Sequence, residues 1–272
     1  MVKLRPMHLL PKKVCRHILV PHSEHYVRHG EIRDVKLLVP LSTLVFKSKD
    51  PIFEHRFFGP FELDKDGFYE KAFITKLAEL VDHDTVFLDI GANIGLDAMI
   101  AAQYGDPKKF YCFEKEQAVL TLLKKNNKKY ANGDINIIEA FVGATTTEHC
   151  LSIDDFVEKA RIAPSLIKMD IEGNEIAALK GMQKTLRDFK PKILIEFHPL
   201  FLRNDFHLDE AGIYGFIESL HQLGYHTVFN GHHYFYRSRE DHSSDENWTT
   251  EIPNDVNFAI YASTSCAEDL AS

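Results

Sequence analysis

The sequence predicts an α/β fold: a mostly parallel, Rossmann-like sheet covered by helices on both faces. Between residues 85 and 223, short apolar runs of strand length alternate with longer stretches of helical period. That alternation requires right-handed crossovers and a parallel sheet. The first run, Val86-Phe87-Leu88-Asp89-Ile90, enters a glycine turn, Gly91-Ala92-Asn93-Ile94-Gly95, with an apolar helix following from Leu96. An acidic residue, Glu114, stands 19 positions beyond Gly95, at the end of the next apolar run. In open α/β sheets a carboxylate so placed faces ligands gathered at the strands' carboxyl ends.

Residues 1–60 read as a separate, small, strand-rich extension, and residues 61–272 as the main domain. Val35 to Val39 and Thr43 to Phe46 have strand composition and are divided by Pro40. A helix is expected from Phe68 to Val81, with Tyr69, Phe73, Leu77 and Leu80 as its apolar stripe and Asp64 or Asp66 placed to cap it. Strands follow at Thr85–Ile90, Lys109–Phe113, Ile135–Val142, Leu166–Met169 and Lys192–Phe197. The intervening helices span Leu96–Tyr104, Glu116–Tyr130, Ser152–Arg161 and Glu175–Leu186. A last helix, Asp209–Leu223, carries Phe216, Ile217 and Leu220 on one face. Asn230-Gly231 is a strong hairpin signal between Tyr225–Phe229 and His232–Tyr236. A polar, acidic loop over residues 239–253 leads to a final strand, Val256–Ala262.

Composition narrows the function classes. A formal net charge of −8 argues against a chain built to grip nucleic acid phosphates. Four scattered cysteines, without a C-x-x-C pair, argue against a disulfide framework or a zinc site. No apolar run reaches the roughly 18 residues that span a bilayer, and no signal-peptide core precedes Pro21. The lysines and arginines of the first 21 residues read as a solvated face, and a cytoplasmic enzyme is expected.

The glycine turn is G-x-N-x-G rather than G-x-G-x-x-G, so the dinucleotide fingerprint is missing. An adenosyl ligand without a pyrophosphate, S-adenosylmethionine, fits it best. Asp89, Gly91, Asn93 and Gly95 would then lie beneath the methionine part, and Glu114 would hold the ribose hydroxyls. Glu139, Ala140 and Phe141, at the third strand's end, are positioned either to flank adenine or, for Phe141, to pack in the core. Asp170 and Glu172 leave the tip of the fourth strand, with Lys168 one alternation earlier. Asp170 would orient the methionine ammonium or the acceptor, whereas Glu175 is better explained by helix capping. Glu196 and His198 stand two apart and so share a face. His198, supported by Glu196, is the leading general base for a hydroxyl acceptor, and Asp170 completes the catalytic set. Asp170, Glu172, Glu196 and His198 are also hard metal donors, but nothing in their spacing demands an ion and none is expected.

Several blocks together resemble the FkbM-type family of S-adenosylmethionine-dependent methyltransferases. They are Phe87 to Gly95, Phe113-Glu114, Leu151-Ser152-Ile153-Asp154-Asp155, Ile167 to Glu175, Leu179-Lys180-Gly181 and Ile195-Glu196-Phe197-His198, in the family's order. The K-x-D-x-E-G-x-E block followed by L-K-G is the most specific part. The resemblance implies a class I methyltransferase sandwich with seven strands, finished by an antiparallel hairpin. It also implies O-methylation of a hydroxyl on a sugar, glycan or secondary metabolite. Two features depart from the family: Lys115 stands where a proline is usual, and only nine residues, Val142 to Cys150, precede the Leu151 block. The alternatives are a methyltransferase acting on RNA or protein, although the N/D-P-P-Y/F motif is absent, and a non-catalytic scaffold that keeps the fold.

Overall fold

The computed structural model describes residues 27–32, 35–40, 45–47, 54–58, 61–63, 70–199, 202, 209–231, 248–252 and 258–265. Seven strands form the main sheet: β6 (Phe87–Ile90), β7 (Phe110–Glu114), β8 (Asn136–Glu139), β11 (Leu166–Met169), β12 (Lys192–Phe197), β13 (His226–Gly231) and β14 (Phe258–Ser263). Their order across the sheet is β13-β14-β12-β11-β6-β7-β8. Neighbours from β8 to β12 pair in parallel, and β14 runs antiparallel to both β12 and β13. This is the mostly parallel seven-stranded sheet with an antiparallel end that the resemblance implies. The direction of winding reverses between β6 and β11, which is where an open α/β sheet receives its ligands.

Strand alternation divides the interior into two cores. Phe87, Phe110, Leu166 and Leu194 face one side, where α1 (Lys71–Leu80), α2 (Leu96–Ala101) and α3 (Gln117–Tyr130) cover them. Leu88, Ile90, Ile167, Met169, Ile193 and Ile195 face the other. There the cover is α4 (Ile153–Ala160), α5 (Glu175–Lys180), α6 (Gln183–Phe189) and α7 (Glu210–Gln222). Burial on both faces explains why β6 and β11 are buried at every position.

The amino-terminal region holds more strand than its sequence suggests. A hairpin joins β1 (Val27–Ile32) to β2 (Val35–Pro40), and a separate antiparallel sheet joins β3 (Val45–Lys47), β4 (Glu54–Phe58) and β5 (Phe61–Leu63). Strand β2 docks on the main domain, with Val35 and Leu37 buried in the first core. Asn126 of α3 clasps it: its Oδ1 accepts from Leu38 N at 2.7 Å, and its Nδ2 donates to Leu38 O at 3.2 Å and to Ile94 O at 2.8 Å.

Four expectations need correction. Helix α1 starts at Lys71 without a side-chain cap, and Asp64 and Asp66 lie outside the described residues. The third strand is broken at Ala140. Strand β7 ends at Glu114, opposite Glu139, so its ladder with β8 stops there; Phe141–Val142 (β9) pairs instead with Cys150–Leu151 (β10). The single helix expected over Glu175–Leu186 is two helices. Asn230 and Gly231 do not form a turn but sit within β13, opposite Ala259 and Phe258. Pairing with β14 there outweighs the local turn preference, and His232–Tyr236 lies outside the described residues.

The break between α5 and α6 explains the motif pair L-S-I-D and L-K-G. Ser152 Oγ caps α4 by accepting from Asp155 N at 3.2 Å. Asp154 N donates to Gly181 O at 2.9 Å, and the Asp154 carboxylate accepts from Thr185 N at 2.7 Å and Lys184 N at 3.0 Å. That side chain caps α6 in place of the Gly181 carbonyl, and the helix restarts there. A Cβ on Gly181 would lie 2.0 Å from the Gly143 carbonyl oxygen. Gly181→Ala is expected to destabilise the fold by about 1–3 kcal/mol in urea unfolding; unchanged stability would mean that this backbone contact is easily relieved.

Candidate functional site

The glycine turn is bound to its surroundings through the backbone. Gly91 N and Ala92 N both donate to Phe113 O at 3.0 Å, which draws the turn over the tip of β7. Gly91 has φ +79°, and a Cβ there would lie 1.9 Å from Asp170 O, so the tips of β6 and β11 approach only because the residue is glycine. Glu114 serves as a clamp: Oε2 accepts from Asn93 N at 3.0 Å, and Oε1 accepts from Lys115 N and Glu116 N at 2.8 Å. Its carboxylate remains partly exposed beside the turn.

Beneath the turn lies a buried charge cluster. Asp89 and Lys168 are register partners on adjacent strands, and Cys112 is the partner of Asp89 on the other side. Lys168 Nζ is 3.3 Å from Asp89 Oδ1, 3.0 Å from Asp97 Oδ2 and 4.0 Å from Asp170 Oδ2, and it donates to Gly91 O at 3.1 Å. Burial pulls the ammonium's pKa down, but these carboxylates outweigh it and hold Lys168 charged, well above its ordinary value. Burial pushes the Asp89 carboxyl up to about 6, against the pull of Lys168.

A second cluster follows across the ends of β11 and β12. His198 is buried, and its Nδ1 lies 2.9 Å from Glu175 Oε1. Its Nε2 is 3.5 Å from Glu196 Oε1 and 3.8 Å from Asp170 Oδ1. Burial opposes the imidazolium, but the bonds to Glu175 and Glu196 raise its pKa well above 6.5. Burial, and then the charge of Glu196, push the Asp170 carboxyl well above the usual carboxylate range. Asp170 is 28% exposed, while Lys168, Asp89, Glu175 and His198 are almost fully covered. It is therefore the polar group of the cluster that a ligand reaches most directly.

The structure brings Asp170, Glu196 and His198 together, links Asp89 to Asp170 through Lys168, and sets Gly91, Asn93, Gly95 and Glu114 in one turn-and-clamp unit. Glu172 does not join: it is exposed, with φ +49° in the turn after β11. Glu175 caps locally, with Oε1 accepting from Gly173 N at 3.1 Å, but it also holds His198, which capping alone does not explain. Asp97 was missed; its place two residues past Gly95, in the first turn of α2, was the available signal. At the far end Glu139 is exposed, accepts from Gln117 Nε2 and lies 3.5 Å from Lys124 Nζ. Ala140 and Phe141 are partly buried, and Lys115 Nζ sits 4.2 Å from the Phe141 ring centre.

The donor set fits S-adenosylmethionine. A clamped turn offers close backbone approach, the Glu114 carboxylate borders it, and Asp170 is the partly exposed carboxyl of the cluster. Residues 138–226 match the family model described as the methyltransferase FkbM domain. Members of that family use S-adenosylmethionine. The matched stretch contains Asp170, Glu175, Glu196 and His198, while the glycine turn and Glu114 precede it. A hexuronic acid methyltransferase, AglP, of Haloferax volcanii is 26% identical over 153 residues, 47% of this chain. The match covers 62% of that protein, less than two thirds of its length. Among solved structures, a methyltransferase FkbM from Methylobacillus flagellatus is 18% identical, with 70% of this chain and 58% of that one covered, at a TM-score of 0.47. An O-methyltransferase from Bacillus cereus is 12% identical over 71% of this chain and 79% of that one, at a TM-score of 0.46. Among the described residues, no helix is long and apolar enough to cross a membrane.

Two outcomes are expected from the buried charges. Lys168→Met leaves Asp89 without its cation and should cost about 3–5 kcal/mol of stability. Adding Asp89→Asn should recover part of the loss, and a strictly additive double variant would dissolve the pairing. His198 has a raised pKa in the folded chain, so its contribution is full below about pH 6.5 and is lost as pH rises through the folded value. The stability gap between wild type and His198→Gln, followed by urea unfolding, should therefore shrink from pH 6 towards pH 9. A gap independent of pH would mean that the imidazole is neutral throughout.

Proposed function

We propose that this chain, whose residues 138–226 match the FkbM methyltransferase domain, transfers a methyl group from S-adenosylmethionine to an oxygen of a sugar or glycan acceptor. The observation that carries the reading is the facing of two units across the reversal between β6 and β11: the clamped glycine turn, and the Asp170–Glu196–His198 cluster. Glu114 would hold the ribose, Asp89 and the turn would support the methionine portion, and Glu139, Ala140 and Phe141 would border the adenine. The hexuronic acid named for the Haloferax relative favours a sugar acceptor.

The bound cofactor supplies a methyl group already activated on a sulfonium, so in-line positioning provides most of the rate. Transfer would form a bond from the acceptor oxygen to the methyl carbon as the S–C bond breaks, and the hydroxyl proton would pass to a base of this chain. His198 donates through Nδ1 to Glu175 and turns Nε2 towards two carboxylates. Base work by the imidazole alone conflicts with its elevated pKa. Asp170, the partly exposed carboxyl beside Glu196 and His198, is the group placed to accept that proton, and burial raises its pKa in the direction that favours proton acceptance.

Calorimetric titration with S-adenosylmethionine tests the cofactor assignment. Glu114→Ala should weaken binding by about 1–3 kcal/mol, and unchanged affinity would remove its ribose role. Methyl transfer from labelled cofactor to hexuronic acids, neutral sugars, RNA and protein then tests the acceptor class. Transfer to sugar oxygen alone is expected. Transfer only to RNA or protein would overturn the acceptor, and binding without any transfer would favour a scaffold.

A further inference from the structure

The geometry points to a divalent-cation site formed by Asp170, Glu196 and His198. Each offers one ligand atom, and the three atoms lie within 4.8 Å of one another. Two donors at about 2.1 Å from a common ion, with angles between 90° and 109°, stand about 3.0–3.4 Å apart. The His198 Nε2 distances to Glu196 and Asp170, 3.5 and 3.8 Å, are a few tenths of an ångström from that arrangement. The Asp170 and Glu196 oxygens, within 4.8 Å of each other, would have to draw together around the ion as well.

A second observation comes from Glu175, whose side chain is fully buried. Its Oε1 lies 2.9 Å from His198 Nδ1, while its Oε2 is enclosed without a hydrogen-bond partner among the described residues. A carboxylate on one imidazole nitrogen fixes the ring and its tautomer, directing the other nitrogen's lone pair outward, as for histidines that bind metals. Here the outward nitrogen is Nε2, and it faces the two other ligand groups. Glu175 is thus a positioning residue. Lys168 does not fill this role, because it is engaged by Asp89, Asp97 and the Gly91 carbonyl. One imidazole with two carboxylates suits Mn²⁺ or Zn²⁺, and also Mg²⁺ with its remaining positions occupied by water. Asp170 is the partly exposed ligand, so a coordinated ion would have an open side towards the acceptor. The ion's presence does not depend on the methyltransferase reading, but its role does.

The test titrates the full chain with Mn²⁺, following free ion by electron paramagnetic resonance, with calorimetric arms for Mg²⁺ and Zn²⁺. One ion per chain is expected. Asp170→Asn and Glu196→Gln should each weaken it at least tenfold, and Glu175→Gln should weaken it about ten- to a hundredfold. Glu175→Gln should leave S-adenosylmethionine affinity unchanged, which a general loss of structure would not do. If Glu196→Gln does not fold, the partly exposed Asp170→Asn decides. No ion bound in any arm, or an affinity indifferent to Asp170→Asn, overturns the site. Cofactor binding is measured on the same samples. Cofactor bound without an ion fails this inference alone; an ion bound without cofactor keeps the site and fails the methyltransferase reading.

Discussion

An ammonium buried in a parallel sheet is tolerable only when neighbouring carboxylates and carbonyls replace its water. Lys168 meets that condition with Asp89 on the adjoining strand, Asp97 on the helix after the glycine turn, and the Gly91 carbonyl within the turn. Its position is the seam where β11 meets β6, so one side chain ties together the two strands between which the winding reverses. The turn cannot move without breaking a hydrogen bond to this lysine, and Asp170 is held at its edge, 4.0 Å away. The same contact requires Gly91, because a side chain there would strike the Asp170 backbone.

The site is the polar continuation of one of the two cores. Phe87, Leu166 and Leu194 face the side covered by α1, α2 and α3; two residues later on the same strands, that face carries Asp89, Lys168 and Glu196. Strand period alone therefore converts a dry core into a charged floor within one alternation. His198, two further on from Glu196, extends it past the end of β12. The opposite face stays apolar to its end at Ile90, Met169 and Phe197. Rigidity at the carboxyl ends follows, since the charged floor rests on strands packed from both sides.

Much of this was legible because it depends on short-range periodicity. Alternation placed Lys168 with Asp170 and Glu196 with His198, and the apolar runs marked the five parallel strands. What failed depended on partners distant in the chain. Nothing around Gly181 shows that Asp154 will cap a helix there, and Asn230-Gly231 behaves as strand only because β14 arrives from some thirty residues later. Glu175 looked like a capping residue because its local bond to Gly173 is real; its bond to His198 crosses 23 residues and two elements. Glu172 was grouped with Asp170 by spacing, but the left-handed turn at Glu172 ends the alternation on which that grouping relied.

The same buried carboxylate bears on two functions usually considered apart. With Nδ1 committed to Glu175, His198 has one remaining valence, Nε2, which can hold a proton or coordinate an ion but not both. Flanking carboxylates favour either cationic partner, so the absence of one strengthens the case for the other. Replacing a proton on Nε2 by a divalent ion raises the positive charge beside the two carboxylates by one unit and commits the ring's lone pair to coordination. Glu175 therefore supports His198 in both states, and its complete burial keeps water from competing for Nδ1. A general-base role for the imidazole requires Nε2 to be empty, the one state that this ring of carboxylates disfavours.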